Sequence, residues 1–470
     1  MRRVLSLSLW VLIAATGGAP ALAQTSLSAP QARPLAPVFL GSVPTGQPTA
    51  EPLRLSILDV VNRALEHNLG ILLSDDARGR AEGARWRAMG GLLPSVGARI
   101  SETRQVLDLA AYGFPLPEGI PPIVGPFNLF DARVAVSQPI LDFRALNDFR
   151  AEKHNIAVAG YNYQSARELV VLVSANAYLQ ALAAGARADA ARAQLQSAQA
   201  LFTQATDLRQ NGLVAGIDVL RAEVELNTEK QRVTAAANDF EKSKLQVGRM
   251  IGLPPGQDLT LVNELPSVPV PDITLTDALA QAYRSRPDYL AALERVKAAE
   301  ATHAAAVGDN LPSVVLNADY GELVAPTSSH ATWAVVGAVN IPIFQAGRTK
   351  GRVIEADIDL KSRRAEAEDL RAAIYYDVKT AFMDLQASGE LMQAATRARE
   401  VAETALAQAR DRFAAGVTNN VEVVQTQEAV SRANEQYINA AYLYNVGKAV
   451  LARNLGDAEQ AVRRYLGGPR

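Results

Sequence analysis

Residues Ile374 to Phe413 read IYYDVKTAFMDLQASGELMQAATRAREVAETALAQARDRF. Stepping alternately by four and three from Ile374 lands on Val378, Ala381, Leu385, Ser388, Met392, Ala395, Arg399, Ala402, Leu406, Ala409 and Phe413, and ten of these twelve positions are apolar. That spacing is the seam of a coiled coil. Moved back by 204 positions, the same register runs Val170, Ser174, Ala177, Ala181, Ala184, Ala188, Ala191, Leu195, Ala198, Phe202, Ala205, Arg209, again with ten apolar of twelve. Alanine dominates both seams, so the helices approach closely. Proline is absent from Ile140 to Leu253 and from Ile343 to Gly468, and each proline in a helix interior would cost ~3 kcal/mol. Glycine-containing turns, Asn211-Gly212 with Gly216 and Ala415-Gly416, divide the two stretches. Four long helices follow, at about 145–210, 217–251, 348–413 and 420–455. A helix of ~65 residues is roughly 100 Å long, which no compact globular domain accommodates.

The 204-residue echo is part of a duplication. Asp59-Val-Val-Asn-Arg-Ala64 matches Asp277-Ala-Leu-Ala-Gln-Ala282, and Leu93-Pro94-Ser95-Val96 matches Leu311-Pro312-Ser313-Val314, both at an offset of 218. Further on, Arg249-Met250-Ile251-Gly252 matches Arg453-Asn454-Leu455-Gly456 at 204. The difference is absorbed between Val96 and Pro139, where the first copy carries a Pro/Gly-rich loop, Leu107 to Asn128. The copies span residues 55–252 and 275–456, with a linker at 253–274 and a tail at 457–470. The repeat also settles an ambiguity. Leu169 to Ala186 carries no charge over eighteen residues, but its twin, Ala373 to Glu390, holds Asp377, Lys379 and Asp384. Lipid-facing helices do not tolerate such residues, so both segments are expected to pack against protein.

Before each long helix lie two strand-like segments, at about 95–105 and 130–140, then 313–323 and 332–342. Val96, Ala98 and Ile100 alternate with Gly97, Arg99 and Ser101; Ala132, Val134 and Val136 alternate with Asp131, Arg133 and Ser137. A strand with one apolar and one polar face suits a membrane barrel, and two ordinary hairpins on a soluble sheet satisfy the same pattern. In lipid, four strands would leave open edges, which the bilayer does not permit. Several chains would have to pool them; two give eight strands, a barrel whose interior side chains just fill, and three give twelve, enough for a water-filled bore.

From about Leu55 to Asp457 the chain resembles the TolC-type outer membrane efflux family. The resemblance rests on the duplication, on Gln138-Pro139-Ile140-Leu141 and Ile341-Pro342-Ile343-Phe344 at strand ends, and on Asn211-Gly212-Leu213-Val214 with Asp218-Val219-Leu220 at a helical tip. It implies a mainly α fold with a β part, in which tandem strand–strand–long helix–helix units form a homotrimer. A twelve-stranded barrel in the outer membrane would continue into an α-helical barrel through the periplasm. It further implies a periplasmic adaptor and an inner-membrane transporter of RND, ABC or MFS type as partners. The function implied is a passive exit duct for tripartite efflux or type I secretion, gated at its periplasmic tip.

Glu422 falls where the family places a gate carboxylate; one turn on, where a second acid is often found, stands Gln425. Threefold symmetry would make Glu422 a ring of three carboxylates favouring cations; an exposed first-turn acid favoured by the helix N-terminus is the other reading. Asp218, the repeat partner of Glu422, either helps hold the closed state or pairs with Arg221. Gly212, Leu213, Val214, Gly416 and Val417 resemble adaptor-contact tips, although turn geometry alone accounts for the glycines. Tyr112, Phe114, Phe127, Phe130, Tyr320 and Trp333 sit near the outer strand ends, as membrane-interface aromatics or as core. Trp86, between Arg85 and Arg87, is expected to pack against a neighbouring helix.

The first 23 residues have the form of a secretory leader: Arg2 and Arg3, an apolar stretch from Val4 to Ala15, and Ala21-Leu22-Ala23. Residues 24–54 carry six prolines and read as an extended, poorly ordered arm. A net charge of −2 and the lack of a basic stripe argue against nucleic acid. With no cysteine there is no disulfide framework and no thiol nucleophile. No phosphate-binding glycine loop, zinc-protease motif or nucleophile elbow occurs, and His67, His154, His303 and His330 are scattered. An enzyme, a cofactor and a metal site are not expected, and any driving force must come from a partner. The rival functional class is a periplasmic coiled-coil scaffold or adaptor with no membrane barrel.

Overall fold

The computed structural model describes residues 37–466 apart from 110, 112, 114–116, 118, 120, 263–272, 326, 327, 416 and 419. Outside these lie the leader, the first part of the arm, Tyr112, Phe114, Gly416 and the last four residues. Residues Val38–Arg470 form one unit. In chain order it contains β1 (Leu53–Leu55), α1 (Ile57–His67), α2 (Leu69–Gly90), β2 (Ser95–Asp108), β3 (Ile123–Leu141), α3 (Phe143–Gln210), α4 (Gly216–Met250) and β4 (Leu259–Leu261). There follow α5 (Leu275–Ser285), α6 (Pro287–Gly308), β5 (Ser313–Ala325), β6 (Ser328–Asn340), α7 (Arg348–Ala414), α8 (Asn420–Asn454) and α9 (Ala458–Tyr465). The chain is mainly helical, with a smaller β part.

The duplication is visible element by element. Helices α1 and α5 have 11 residues each, α2 and α6 have 22, α3 and α7 have 68 and 67, and α4 and α8 have 35. Even the caps repeat. The Asp59 amide donates to Ser56 Oγ at 3.3 Å, and 218 positions later the Asp277 amide donates to Thr274 Oγ1 at 3.2 Å. Each cap satisfies one of the orphan N–H groups at its helix start.

Helix α3 is the common member of the bundle. It packs on α4 and α8 along its tip-ward half and on α2 and α6 along the half nearer the strands, whereas α7 packs on α8, α6 and the short α5. The seam positions Ile374, Val378, Ala381, Ser388, Ala395, Leu406, Ala409 and Phe413 of α7 are buried. Arg399 occupies the seam with its guanidinium 4.1 Å from the centre of the Tyr437 ring. On α3 the seam residues Val170, Ser174, Ala181, Ala184, Ala188, Ala198 and Ala205 are buried, and so are Val171, Ala175, Tyr178 and Leu179 on a second face. Having neighbours on several sides explains the charge-free stretch. By length and composition α3 could cross a membrane, but that stretch is instead the centre of a core with α1, β1, α4, β4 and α9. Tyr178, fully buried there, donates to the Leu55 carbonyl at 3.0 Å.

Several sequence expectations need correction. The loop read at Leu107 to Asn128 is shorter, because β2 runs on to Asp108 and β3 already begins at Ile123. Pairing overrides the turn-like composition: Leu107 lies opposite Val124, and an irregularity between Gln105 and Leu107 accommodates Gly125. The arm is bonded from Gly41 onward. The Val43 amide donates to the His67 carbonyl at 2.9 Å and that of Thr45 to Gly252 at 3.1 Å, while β1 pairs in parallel with β4 inside the linker. The tail carries α9. Trp86 is 60% exposed rather than packed on a neighbouring helix.

Helix α9 borrows its cap. Asp457 makes no side-chain cap bond, and the Ala458 amide donates instead to Glu168 of α3 at 2.7 Å. Burial, reinforced by Asp457 and Glu459 nearby, pushes the Glu168 carboxyl up to about 7. In the folded chain Glu168 therefore keeps its proton where the unfolded chain, near the ordinary 4.5, has lost it. Stability falls as pH rises from 4.5 to about 7 and the loss is complete above that. Glu168→Gln keeps an acceptor and removes the titration. The variant is expected to exceed the parent in unfolding stability by ~1–3 kcal/mol at pH 8 and to match it at pH 4, as read from unfolding in detergent.

Candidate functional site: a two-faced sheet and paired helical tips

Strands β2, β3, β5 and β6 form one antiparallel sheet in that order. Directly opposed residues share a face, so the register sorts the side chains. One face gathers Arg99, Asp131, Arg133, Asn317 and Asp319. Arg133 holds it together, with Nε 2.9 Å from Asp131 Oδ1 and Nη1 3.0 Å from Asp319 Oδ1. Gly321, opposite Arg133, makes room for this: a Cβ there would stand 2.4 Å from that of Arg133. The other face carries Val96, Ile100, Val134, Leu316, Val335 and Val339, all exposed, Ile100 by 73%.

At the outer end of this apolar band Tyr320 lies opposite Trp333, which is 73% exposed, and Phe130 shares their face. Beyond them the face turns polar, where the Asn128 side-chain amide donates to Glu102 at 3.0 Å and the Ser329 hydroxyl donates to Glu322. Phe127 departs from the expected set. It pairs with Gln105 and lies on the polar face with Arg133, because strand alternation separates it from Phe130.

At the far end of the helices the two turns are built alike. The Leu213 amide donates to the Leu208 carbonyl at 2.8 Å, and the Val417 amide to the Arg412 carbonyl at 2.9 Å, 204 positions on. Gly212 has φ +70°, the left-handed conformation that closes a helix at least cost in glycine. Leu213 is 71% exposed, Val417 is also exposed and Val214 is half-buried. Beneath the turns Val219 and Val423 join Leu201, Ala205, Leu406 and Phe413 in a core that ties the two hairpins together.

Glu422 is not a bare first-turn acid. Its Oε1 accepts from Arg412 Nη1 at 2.7 Å across the turn, and its Oε2 accepts from the Thr418 hydroxyl. Asp218 lies 3.2 Å from Arg221, and Gln425 is exposed. Sequence reasoning missed Arg412 and Thr418, since nothing in the spacing marks a pair formed around a turn. It also missed a buried polar layer higher up. Gln194 of α3 donates to the Gln427 carbonyl of α8 at 2.9 Å. On α4, Glu225 and Glu229 are buried one turn apart. Burial raises both carboxyls above their usual range, and Arg232 only partly offsets this at Glu229. Among the described residues no cluster of His, Asp or Glu has the form of a metal site.

The pattern of the outer membrane efflux protein family matches residues 61–253 and 278–457, one segment in each copy. The chain belongs to that family. It is 25% identical over 362 residues to the toluene efflux pump outer membrane protein TtgF of Pseudomonas putida, covering 74% of this chain and 72% of that one. To the outer membrane protein TolC of Escherichia coli it is 22% identical over 357 residues, covering 71% and 70%. Among solved structures, the Campylobacter jejuni CmeC outer membrane channel superposes with a TM-score of 0.74 at 18% identity, over 92% of this chain and 94% of that one. This family member is thus an outer membrane export channel extending into the periplasm, and the rival reading, a scaffold without a membrane sheet, falls away.

The close approach at Gly321 is open to test. Gly321→Val forces Arg133 aside, and overpacking of this kind costs ~1–3 kcal/mol. The variant is expected to unfold at a lower temperature than the parent in detergent, with unchanged helix content by circular dichroism.

Proposed function

We propose that three copies of this chain close their sheets into a twelve-stranded barrel and their helices into a periplasmic tube, forming a passive duct. The observation that carries this is the sheet itself: one apolar face, one polar face, and two edges, β2 and β6, that no strand among the described residues covers. An uncovered edge is not tolerated in hydrocarbon. Three four-stranded sheets make a barrel wide enough for water, and the polar face with Arg133, Asp131 and Asp319 would line the bore. Phe130, Tyr320 and Trp333 would mark the outer membrane interface.

The tips would be the periplasmic entrance. In that arrangement Glu422, Gln425, Asp218 and Arg221 narrow the opening. Because Arg412 neutralises Glu422 within each chain, the resting ring is three ion pairs rather than three free carboxylates, and its preference for cations is mild. The exposed Leu213 and Val417, with Gly212, Val214 and Gly416, would meet a periplasmic adaptor, and through it an inner-membrane transporter of RND, ABC or MFS type. Curated relatives include both a toluene efflux component and an alkaline protease secretion protein, so cargo follows the transporter.

Purified protein is expected to have trimer mass in detergent and to conduct ions in planar bilayers; a monomer without conductance refutes the reading. Glu422→Gln leaves Arg412 unneutralised in each copy. It is expected to lower cation selectivity and raise resting conductance, whereas Arg412→Ala, which frees the carboxylate, raises cation selectivity. Identical selectivity in all three proteins would remove these residues from the gate.

A further inference from the structure

The two β-hairpins are one object twice. In the first, Ser95 pairs with Ser137, Val96 with Val136 and Ile100 with Ala132; in the second, Ser313 pairs with Asn340, Val314 with Val339 and Ala318 with Val335. Adding 218 to each β2 number and 203 to each β3 number converts the first set into the second. Between the hairpins runs another junction, β3 against β5, with Val136 opposite Ala318, Ser137 opposite Asn317 and Gln138 opposite Leu316. Its repeat counterpart would join β6 to β2, and within one chain those strands are the two outer edges.

We propose that a second copy of this chain supplies that junction in the register the internal repeat dictates: Val339 opposite Ile100 of the next copy, Asn340 opposite Arg99, and Ile341 opposite Ala98. The inference rests on the trimeric reading and adds its residue pairing. Chemistry agrees with it. Val339 and Ile100 both belong to apolar faces, while Asn340 and Arg99 both belong to polar ones. A slip of one residue would set apolar against polar along the whole seam.

The stretch Ile341 to Phe344 supplies independent support. Its repeat counterpart, Gln138 to Leu141, is strand, because β5 offers Leu316, Val315 and Val314 as neighbours. Among the described residues of one chain Ile341 to Phe344 has no such neighbour and is not strand, and Ile343 and Phe344 are 93% and 87% exposed. Leu141, the counterpart of Phe344, is only 42% exposed. Two large apolar side chains standing almost wholly in solvent beside a free edge mark an unfinished contact. Under the proposed register Phe344 lies opposite Val96 of the next copy and Ile343 stands at the irregularity between Gly97 and Val96, as Ile140 does between Val315 and Val314, and β6 lengthens through them as β3 does in the first repeat.

The chain has no cysteine, so paired cysteine variants report single contacts. In detergent, V339C with I100C is expected to oxidise to a covalent trimer several-fold faster than V339C with A98C or V339C with E102C. Directly opposed Cβ atoms lie ~5 Å apart and diagonal ones ~7–8 Å, beyond disulfide reach. In the unmutated protein the amides of Ile343 and Phe344 are expected to exchange with deuterium as slowly as those of Ile140 and Leu141. Dominant cross-linking through A98C or E102C, no cross-linking by any pair in particles of trimer mass, or fast exchange at 343–344 would overturn the register and leave the trimer standing. A monomeric parent protein with no cross-link from any pair would overturn both.

Discussion

A backbone N–H or C=O that meets hydrocarbon without a partner costs several kcal/mol, and a strand edge is a row of them. This constraint bears on everything else in the chain. The sheet of β2, β3, β5 and β6 satisfies its interior ladders and leaves two rows open, so its apolar face can enter lipid only when other copies cover them. The long helices extend that requirement into the periplasm. Helix α3 continues directly from β3, with only Asp142 between them, and α7 follows β6 after residues 341–347, so in the proposed assembly whatever closes the sheet also gathers the helices.

Helix packing then sets the geometry of the bundle. Alanine at Ala181, Ala184, Ala188, Ala198 and Ala205 lets the neighbours of α3 come close, and α3 is held on several sides while α7 is held along one stripe. The first copy thus anchors the bundle and the second presents more free surface: Ile354, Ile358, Tyr376 and Met383 of α7 are exposed. Near the tips, the core of Val219, Val423 and Phe413 ties the two hairpins of a chain together.

Much of this was legible in the sequence, for identifiable reasons. Proline-free stretches and a four-three apolar rhythm define helices, and Leu-Pro-Ser-Val recurring at 218 positions defines the repeat. Strand alternation at Val96–Ile100 and Ala132–Val136 located the sheet. What was hidden depended on partners remote in the chain. The early start of β3 was masked by Gly125-Pro126, which read as loop until paired with β2. The three-residue β1 and β4 are too short to carry a period, and only their mutual pairing makes them strands. Phe127 was grouped with Phe130 because nearness along the chain says nothing of face until the strand boundary is known. Glu422 stands out because it falls where the resembled family places a gate carboxylate, but the guanidinium that neutralises it comes from across the turn, where neither periodicity nor composition points.

The free edges have a genetic consequence. Edge-to-edge joining is heterologous, each subunit using one surface to grip and a different one to be gripped. In the proposed ring, a subunit damaged only along β6 would still dock through β2, enter the ring, and leave a gap that no sound neighbour could bridge. With three subunits to a ring, as proposed, and random mixing of equal amounts, only about one ring in eight would contain sound subunits alone. Lesions confined to one margin should therefore be dominant, while lesions that abolish folding outright should be recessive.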